Sequence, residues 1–92
     1  MRRVKLSRDA RKAIKKLPPK HARQVAEKIQ ALIVDPEPHD SQELKGKHAP
    51  KRRADSGEYR IIYEADEKTL FIFLVGKRND SAIYRALKRK PR

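Results

Sequence analysis

The strongest constraint on the fold is a stretch between Glu58 and Arg78, in which two apolar and aromatic runs flank a short polar turn. In the first run, residues 59–63, Tyr59, Ile61 and Tyr63 alternate with Arg60 and Ile62. The second run, residues 70–75, is apolar throughout. β-Branched and aromatic residues on both sides of a short turn are typical of a β-hairpin. Successive side chains of a strand point to opposite faces, so Arg60 is expected on the face opposite to the tyrosines of its run. The uninterrupted second run predicts a strand covered on both faces.

The first third of the chain predicts a short strand and two helices. Residues 4–6 are apolar, polar and apolar, and Ser7 is a good N-cap for the helical spacing that follows. Pro18-Pro19 ends the first helix, because proline lacks an N–H and restricts the residue before it. A second apolar stripe at helical spacing ends at Asp35-Pro36. We therefore expect a helical hairpin packed on a sheet.

Residues 35–50 are rich in proline and polar residues and are expected to form a loop, with Leu44 as its anchor to the core. A strand is expected over residues 51–54, and the sequence Asp-Ser-Gly at 55–57 predicts a turn into the hairpin. Further elements are a cap at 79–81, a short helix at 82–87 and a frayed basic tail at 88–92.

These elements predict an α+β fold in the order β-α-α-β-β-β-α, with an antiparallel-rich sheet, the helical hairpin packed on it and a short C-terminal helix. A chain of 92 residues is expected to form one domain over residues 1–92.

Charge indicates the kind of partner. The chain has 25 Lys and Arg against 12 Asp and Glu, a net charge of +13, which favours a polyanion such as nucleic acid.

The chain has no cysteine, so disulfides and thiolate metal sites are excluded. No apolar run has the length of a membrane span, and the first residues are too charged for a signal peptide. We therefore expect a cytoplasmic protein with no membrane partner.

Several short motifs, in this order along the chain, resemble the RelE branch of the RelE/ParE toxin superfamily. They are Leu44-Lys45-Gly46, then residues 57–63 (GEYRIIY), then Val75-Gly76-Lys77-Arg78, and finally Tyr84. The resemblance covers nearly the whole chain and depends on the ordered set rather than on one motif. It implies a toxin of a type II toxin–antitoxin system that cleaves mRNA in the ribosomal A site. It also implies a cognate acidic, RelB-like antitoxin, and it leaves open whether the complex binds operator DNA through that antitoxin.

Carried over by position, the resemblance also implies the active-site residues. The implied catalytic set is Lys51, Arg53, Arg60, Arg78 and Tyr84. Two positions depart from the family: Arg53 stands where lysine is common, and Arg52 lies near the place of a missing aromatic residue. Because arginine does not give up its proton, the first departure leaves the identity of the proton acceptor open.

Metal-independent cleavage of RNA requires a proton acceptor for the 2′-hydroxyl, charge stabilisation at phosphorus and a proton for the 5′-oxygen. We assign Arg60 and Arg78 to the phosphate, with Arg53 as a second contact. Lys51 is the candidate for proton transfer, since a lysine among cations is expected to have a lowered pKa. Tyr84 is expected to orient the 2′-hydroxyl or to stack on a base.

The remaining basic residues are expected to bind RNA phosphates without reading sequence. They are Lys45, Lys47, Arg52, Lys77 and Arg85.

None of the three histidines is assigned a catalytic or metal-binding role. His21 is expected on the surface, and His39 and His48 lack compact ligand spacing with Asp40. No metal and no cofactor are therefore expected.

Two alternatives stay open on the sequence. One is a ParE-like toxin that acts by protein contact on a topoisomerase, and the other is a non-catalytic RNA-binding module.

Overall fold

The computed structural model describes residues 1–79 and 81–89. Over these residues it contains three helices and five strands, together with one 3-10 turn. In chain order they are β1 (Arg3–Leu6), α1 (Arg8–Lys16), α2 (Pro19–Val34), β2 (Ser41–Glu43), the 3-10 turn (Gly46–His48), β3 (Arg52–Ser56), β4 (Tyr59–Ala65), β5 (Thr69–Lys77) and α3 (Ala82–Arg89).

All five strands belong to one sheet, in the order β1-β5-β4-β3-β2. β1 pairs with β5 in parallel, and the other three pairings are antiparallel. The predicted hairpin, β4 with β5, lies at the centre, which explains why its residues are the most apolar of the sheet. The predicted α+β class and element order are confirmed.

Local sequence fixes the helix ends. Ser7 caps α1 as predicted, because its Oγ accepts a hydrogen bond from the Ala10 amide at 3.0 Å and also donates to the Phe73 carbonyl. α2 starts at Pro19, where the missing N–H has no intrahelical partner to lose. Asp35 ends it, and its amide still bonds to the Ala31 carbonyl.

Two apolar cores lie on the two faces of the sheet. On the first face, α1 and α2 cover a core that includes Val25, Leu32, Ile61, Tyr63 and Ile72. On the second face, α3 covers a smaller core. Its members are Ile62, Leu74, Ile83 and Leu87, with Leu44 packed at its edge as predicted.

A β-bulge in β5 shifts the register of its pairing with β4 by one residue. Ile62 pairs with Leu74, but the next residue, Tyr63, pairs with Ile72, so Phe73 is the extra residue. Phe73 and Leu74 therefore both contact the second core, whereas their neighbours Ile72 and Val75 are buried in the first.

The structure differs from the predicted elements in three places. The segment predicted as a loop contains β2, which pairs with β3 through Ser41 and Ala54. The predicted turn at 55–57 is wrong, because β3 continues to Ser56 and the turn is Gly57-Glu58, with Gly57 at a φ of 59°. The last helix extends to Arg89, beyond the predicted end at 87.

Two other expectations fall outside the description. Asp80 of the predicted cap and residues 90–92 of the predicted tail lie outside the described residues. None of the helices in the described part of the chain is both long and apolar enough to span a membrane.

Candidate active site

The pairing of β3 with β4 places the candidate residues on the second face of the sheet. Asp55 is directly opposite Arg60, and Arg53 is directly opposite Ile62. Directly opposed residues project to the same side, and Ile62 is buried in the second core. Arg53, Asp55 and Arg60 therefore share the face on which α3 packs.

Arg60 is held by three hydrogen bonds. Its Nε donates to Asp55 Oδ1 at 2.7 Å and its Nη2 to Asp55 Oδ2 at 3.3 Å. Its Nη1 donates to the Tyr84 hydroxyl at 2.7 Å. The Arg60 side chain is only 14% exposed. A guanidinium has five N–H donors, so about two remain for another acceptor while this arrangement is kept.

The Tyr84 hydroxyl accepts from a second arginine as well. Arg53 Nη1 donates to it at 3.3 Å, and Arg53 Nη2 donates to Gln42 Oε1 at 2.6 Å. With two guanidinium groups donating to its oxygen, the tyrosine O–H proton is directed away from them and is available to another acceptor. The structure therefore brings together three of the predicted catalytic residues.

Tyr84 reaches this position because α3 packs closely on β5. The neighbouring Ile83 is buried in the second core. A Cβ added at Gly76 would lie 3.3 Å from the Cβ of Ile83, a tight approach that glycine avoids. Gly76 is also paired directly with Arg60. The glycine of the predicted Val75–Arg78 motif thus allows close contact between the helix and the strand at the site.

The arginines also set the ionisation of Asp55. The hydrogen bond from Arg60 holds the pKa of the Asp55 carboxyl below its ordinary value, against the raising effect of partial burial. The charges of Arg60, Arg78 and Arg53 lower the pKa further. The hydrogen bond with Asp55 also raises the pKa of Arg60, which stays a cation.

Arg78 lies at the end of β5 with an exposed side chain. Its amide donates to the Glu58 carbonyl at 3.0 Å, which fixes the backbone. Its charge contributes to the lowered pKa of Asp55, although its side chain makes no hydrogen bond with the described residues.

Lys51 is placed differently from the other predicted catalytic residues. It is 6% exposed, and its Nζ lies 4.9 Å from the centre of the Phe73 ring. Continuing the β3–β4 register places it beside Glu64, further along the same face than Arg53. Its assignment to proton transfer stays a prediction.

The five residues predicted to bind RNA phosphates do not form one patch. Arg52 lies on the face opposite to its neighbour Arg53 and donates to Ser41 Oγ at 2.8 Å. Lys77 pairs with Tyr59, which packs on the first core. Arg85 is exposed and donates to Ser81 Oγ at 2.7 Å. Lys45 and Lys47 are exposed around the 3-10 turn. Their RNA contacts stay a prediction.

Sequence reasoning missed two residues of the site, Asp55 and Gln42. The first was assigned to a turn and the second to a loop, and both belong to strands. They line an open depression of about 310 Å³ beside the arginines. Its lining residues are His39, Asp40, Ser41, Gln42, Arg53, Asp55 and Arg60.

The histidines do not belong to a metal site in the described part of the chain. Among residues 1–79 and 81–89, no three His, Cys, Asp or Glu side chains come close enough to hold a metal ion. The expectation that His21 is a surface residue is wrong: its ring is half-buried and packs edge-on against Tyr59, with ring centres 5.1 Å apart.

The family model for the ParE toxin of type II toxin–antitoxin systems matches residues 4–82. A comparison with curated proteins gives no match.

Solved structures of RelE toxins are similar in both sequence and fold. The archaeal RelE–RelB complex from Pyrococcus horikoshii OT3 contains a chain with 31% identity and a TM-score of 0.72, covering 84% of this chain and 94% of that one. The RelBE2 toxin–antitoxin complex from Mycobacterium tuberculosis gives 29% identity and a TM-score of 0.71, covering 82% and 95%.

The isolated RelE toxin of E. coli gives 26% identity and a TM-score of 0.73, covering 97% of this chain and 98% of that one. The family match and these structures agree with the order of motifs along the chain. The chain belongs to the RelE/ParE superfamily of type II toxins, in its RelE branch.

Proposed function

We propose that this toxin is a ribosome-dependent endoribonuclease that cleaves mRNA in the ribosomal A site without a metal ion. The observation that carries the proposal is the Tyr84 hydroxyl held between the guanidinium groups of Arg53 and Arg60. A tyrosine and two fixed cations are suited to a reaction in which negative charge develops on a phosphate. The proposal places this chemistry in the cytoplasm, where translation takes place.

In the proposed reaction the RNA 2′-oxygen attacks the adjacent phosphorus, and the 5′-oxygen of the next nucleotide leaves. The 2′-hydroxyl gives up a proton, the 5′-oxygen takes one, and a 2′,3′-cyclic phosphate forms. Arg60 and Arg78 stabilise the charge on the phosphoryl oxygens, with Arg53 as a second contact. In the proposal, the Tyr84 hydroxyl orients the 2′-hydroxyl.

Asp55 is assigned a positioning role. Its lowered pKa makes it a weak base, so it is a poor acceptor for the 2′-hydroxyl proton. Its two oxygens instead hold Arg60 in one orientation, with the Nη1 directed at Tyr84. Lys51 is the remaining candidate for proton transfer.

The openness of the site supports the proposed dependence on the ribosome. The depression beside Arg53 and Arg60 is not closed by a lid among the described residues, so the toxin alone offers little to orient an RNA strand. Bound mRNA is oriented by the ribosome, which supplies the geometry that the toxin lacks.

We also propose an acidic antitoxin as the partner that keeps the toxin inactive. Support comes from the P. horikoshii and M. tuberculosis relatives, which were solved as toxin–antitoxin complexes, and from the net charge of +13. Opposite charge mainly accelerates association, whereas apolar contacts hold a complex. Raising the salt concentration should therefore slow association with little change in dissociation; a dissociation rate that rises as steeply would contradict the apolar contacts.

The test in cells is induction of the toxin followed by primer extension on abundant mRNAs. Cuts within translated codons, absent in a Tyr84→Phe variant of equal abundance, are expected. Growth arrest without such cuts would contradict the proposal.

A ParE-like action on a topoisomerase is the second candidate, because the matching family model is that of ParE toxins. The two candidates separate in one comparison: inhibition of DNA supercoiling by purified toxin, with translated mRNA intact, would favour the topoisomerase.

A further inference from the structure

The most highly charged helix of the fold is not used by the candidate site. Every exposed residue of α1 is charged, and five of the six are basic. The five residues, which we call the α1 basic face, are Arg8, Arg11, Lys12, Lys15 and Lys16. At 3.6 residues per turn they occupy an arc of about 140°, opposite to the partly or fully buried Ala10, Ala13 and Ile14.

The α1 basic face differs in its bonding from Arg53 and Arg60 of the candidate site. None of its five side chains makes a hydrogen bond or a salt bridge with any of the residues that the structure describes, whereas Arg53 and Arg60 both do. The charges are therefore available to an external partner.

The stability of the helix explains only part of this charge pattern, namely Lys15 and Lys16 in the last turn, where the helix dipole favours cations. Arg8 with Lys12, Arg11 with Lys15 and Lys12 with Lys16 are like-charged pairs one turn apart. Each such pair destabilises a helix by about 0.2–0.5 kcal/mol. Solubility alone is served as well by interspersed charges of both signs. A function in binding accounts for the pattern.

The α1 basic face lies on the other side of the domain from the active site. α1 packs on the first face of the sheet through the core that contains Ala10, whereas Arg60 and Tyr84 lie on the second face. The domain measures 30 × 30 × 24 Å. A short RNA strand in the active site does not reach both sides, so a partner of α1 must surround the toxin or be a separate molecule.

We propose that the α1 basic face is a second RNA-docking surface, which binds the phosphate backbone of folded RNA while the active site holds the substrate strand. The absence of apolar side chains among the exposed residues of α1 favours RNA over a protein partner. A protein interface needs apolar or aromatic anchors at its centre, whereas phosphates need only cations on long side chains. In the setting of the proposed function, this folded RNA is ribosomal RNA, and α1 would fix the orientation of the toxin.

The test compares two variants that each lose four positive charges from the same +13. The first carries R11Q, K12Q, K15Q and K16Q on α1, where glutamine keeps a high helix propensity. The control carries R3Q, K68Q, K88Q and R89Q, all at exposed positions outside α1. Both are made with Arg78→Ala, which slows cleavage by the expected factor of about 10²–10³, so that binding is measured before the RNA is cut. Binding to purified ribosomes, and to a short single-stranded RNA, is measured as a function of salt.

The α1 variant should bind ribosomes more weakly, with a salt slope smaller by about 3 for four lost phosphate contacts. Between 50 and 200 mM salt, the parent's affinity for ribosomes should therefore fall about 60-fold more than the affinity of the α1 variant. The control should stay close to the parent. Binding of the short RNA should not change, because it uses the other face.

Three results would overturn the proposal. Equal loss in both variants would show that only net charge matters, and no loss in either would show that α1 does not bind. Unchanged ribosome binding with weakened antitoxin binding would assign α1 to the protein partner. Loss of folded protein is excluded as a cause of weaker binding by the melting temperature of the α1 variant. Removing like charges should leave that temperature equal to the parent's or higher. Since binding is measured in the Arg78→Ala background, failure of the proposed reaction is seen separately, in the cleavage activity of the toxin that retains Arg78.

Discussion

Arg60 and Arg78 provide the sharpest test of the site, because the structure separates their catalytic and structural contributions. Arg78 is exposed and makes no side-chain hydrogen bond with the described residues. Arg60 is 14% exposed and bonds to both Asp55 and Tyr84. Replacing either with alanine removes one donor to the phosphate. Only the replacement of Arg60 also removes contacts that hold the fold.

The magnitudes follow from these contacts. Loss of one donor to a developing anion lowers the cleavage rate by about 10²–10³, or about 2.7–4 kcal/mol, and we expect this loss for both variants. Arg78→Ala should change the free energy of unfolding by less than about 0.5 kcal/mol. Arg60→Ala should lower it by about 1 kcal/mol, since its partner Asp55 is partly exposed and the ion pair is screened by solvent. For a domain of this size, about 1 kcal/mol lowers the melting temperature by about 4–8 °C.

The assay is single-turnover cleavage of mRNA on programmed ribosomes, together with thermal unfolding followed by circular dichroism. Arg3→Ala is the control, because Arg3 is exposed on the edge strand β1. The reasoning is refuted if Arg78→Ala cleaves at the parental rate, which would move the phosphate elsewhere. It is also refuted if Arg78→Ala melts as low as Arg60→Ala, which would give Arg78 a structural role.

Three further predictions concern the fold and the chemistry. Because Asp55 has a lowered pKa in the folded state, its ion pair contributes stability above its ordinary pKa of about 3.8 and loses that contribution as the pH falls through the lower folded value. Urea unfolding at pH 6 and pH 3 should therefore show a smaller acid-induced loss for Asp55→Asn than for the parent, and an equal loss would contradict the pairing. Tyr63→Phe should lower the free energy of unfolding by about 1 kcal/mol, because the buried hydroxyl donates to the Pro36 carbonyl at 2.6 Å. Tyr59→Phe is its control, as the Tyr59 hydroxyl makes no hydrogen bond with the described residues, and equal effects would refute the assignment. Cleavage should survive a chelator while the ribosomes stay assembled, and activity lost to the chelator and restored by a divalent ion would contradict a metal-independent reaction.

The fold was predictable where side-chain pattern and burial agree. The alternation of Tyr59, Ile61 and Tyr63 fixed their shared face, and all three contact the first core. β2 was not predictable, since Ser41, Gln42 and Glu43 have neither apolar alternation nor high β-propensity. This strand exists through its pairing with β3, a tertiary effect that local sequence does not encode.

The grouping of Arg53, Arg60 and Tyr84 involves residues that the sequence singled out, whereas the carboxylate that holds Arg60 was not predicted. Asp-Ser-Gly is a strong turn signal, yet Gly57 alone takes the left-handed conformation, and a two-residue turn leaves Asp55 in β3 opposite Arg60. Lys51 shows a second limit. A lysine in a basic run indicates an exposed position, but the ring of Phe73, two strands away in the sheet, lies under its ammonium group and allows it to be buried.

The most direct test of the central claim uses the purified toxin, programmed ribosomes with a defined codon in the A site, and the same mRNA free in solution. The 5′ ends are mapped by primer extension, with Tyr84→Phe as the inactive comparison. We predict a cut inside the A-site codon that requires the ribosome and is lost in the variant. Intact mRNA on ribosomes, at toxin concentrations that arrest growth in cells, would contradict the assignment of Arg53, Arg60, Arg78 and Tyr84 to RNA cleavage.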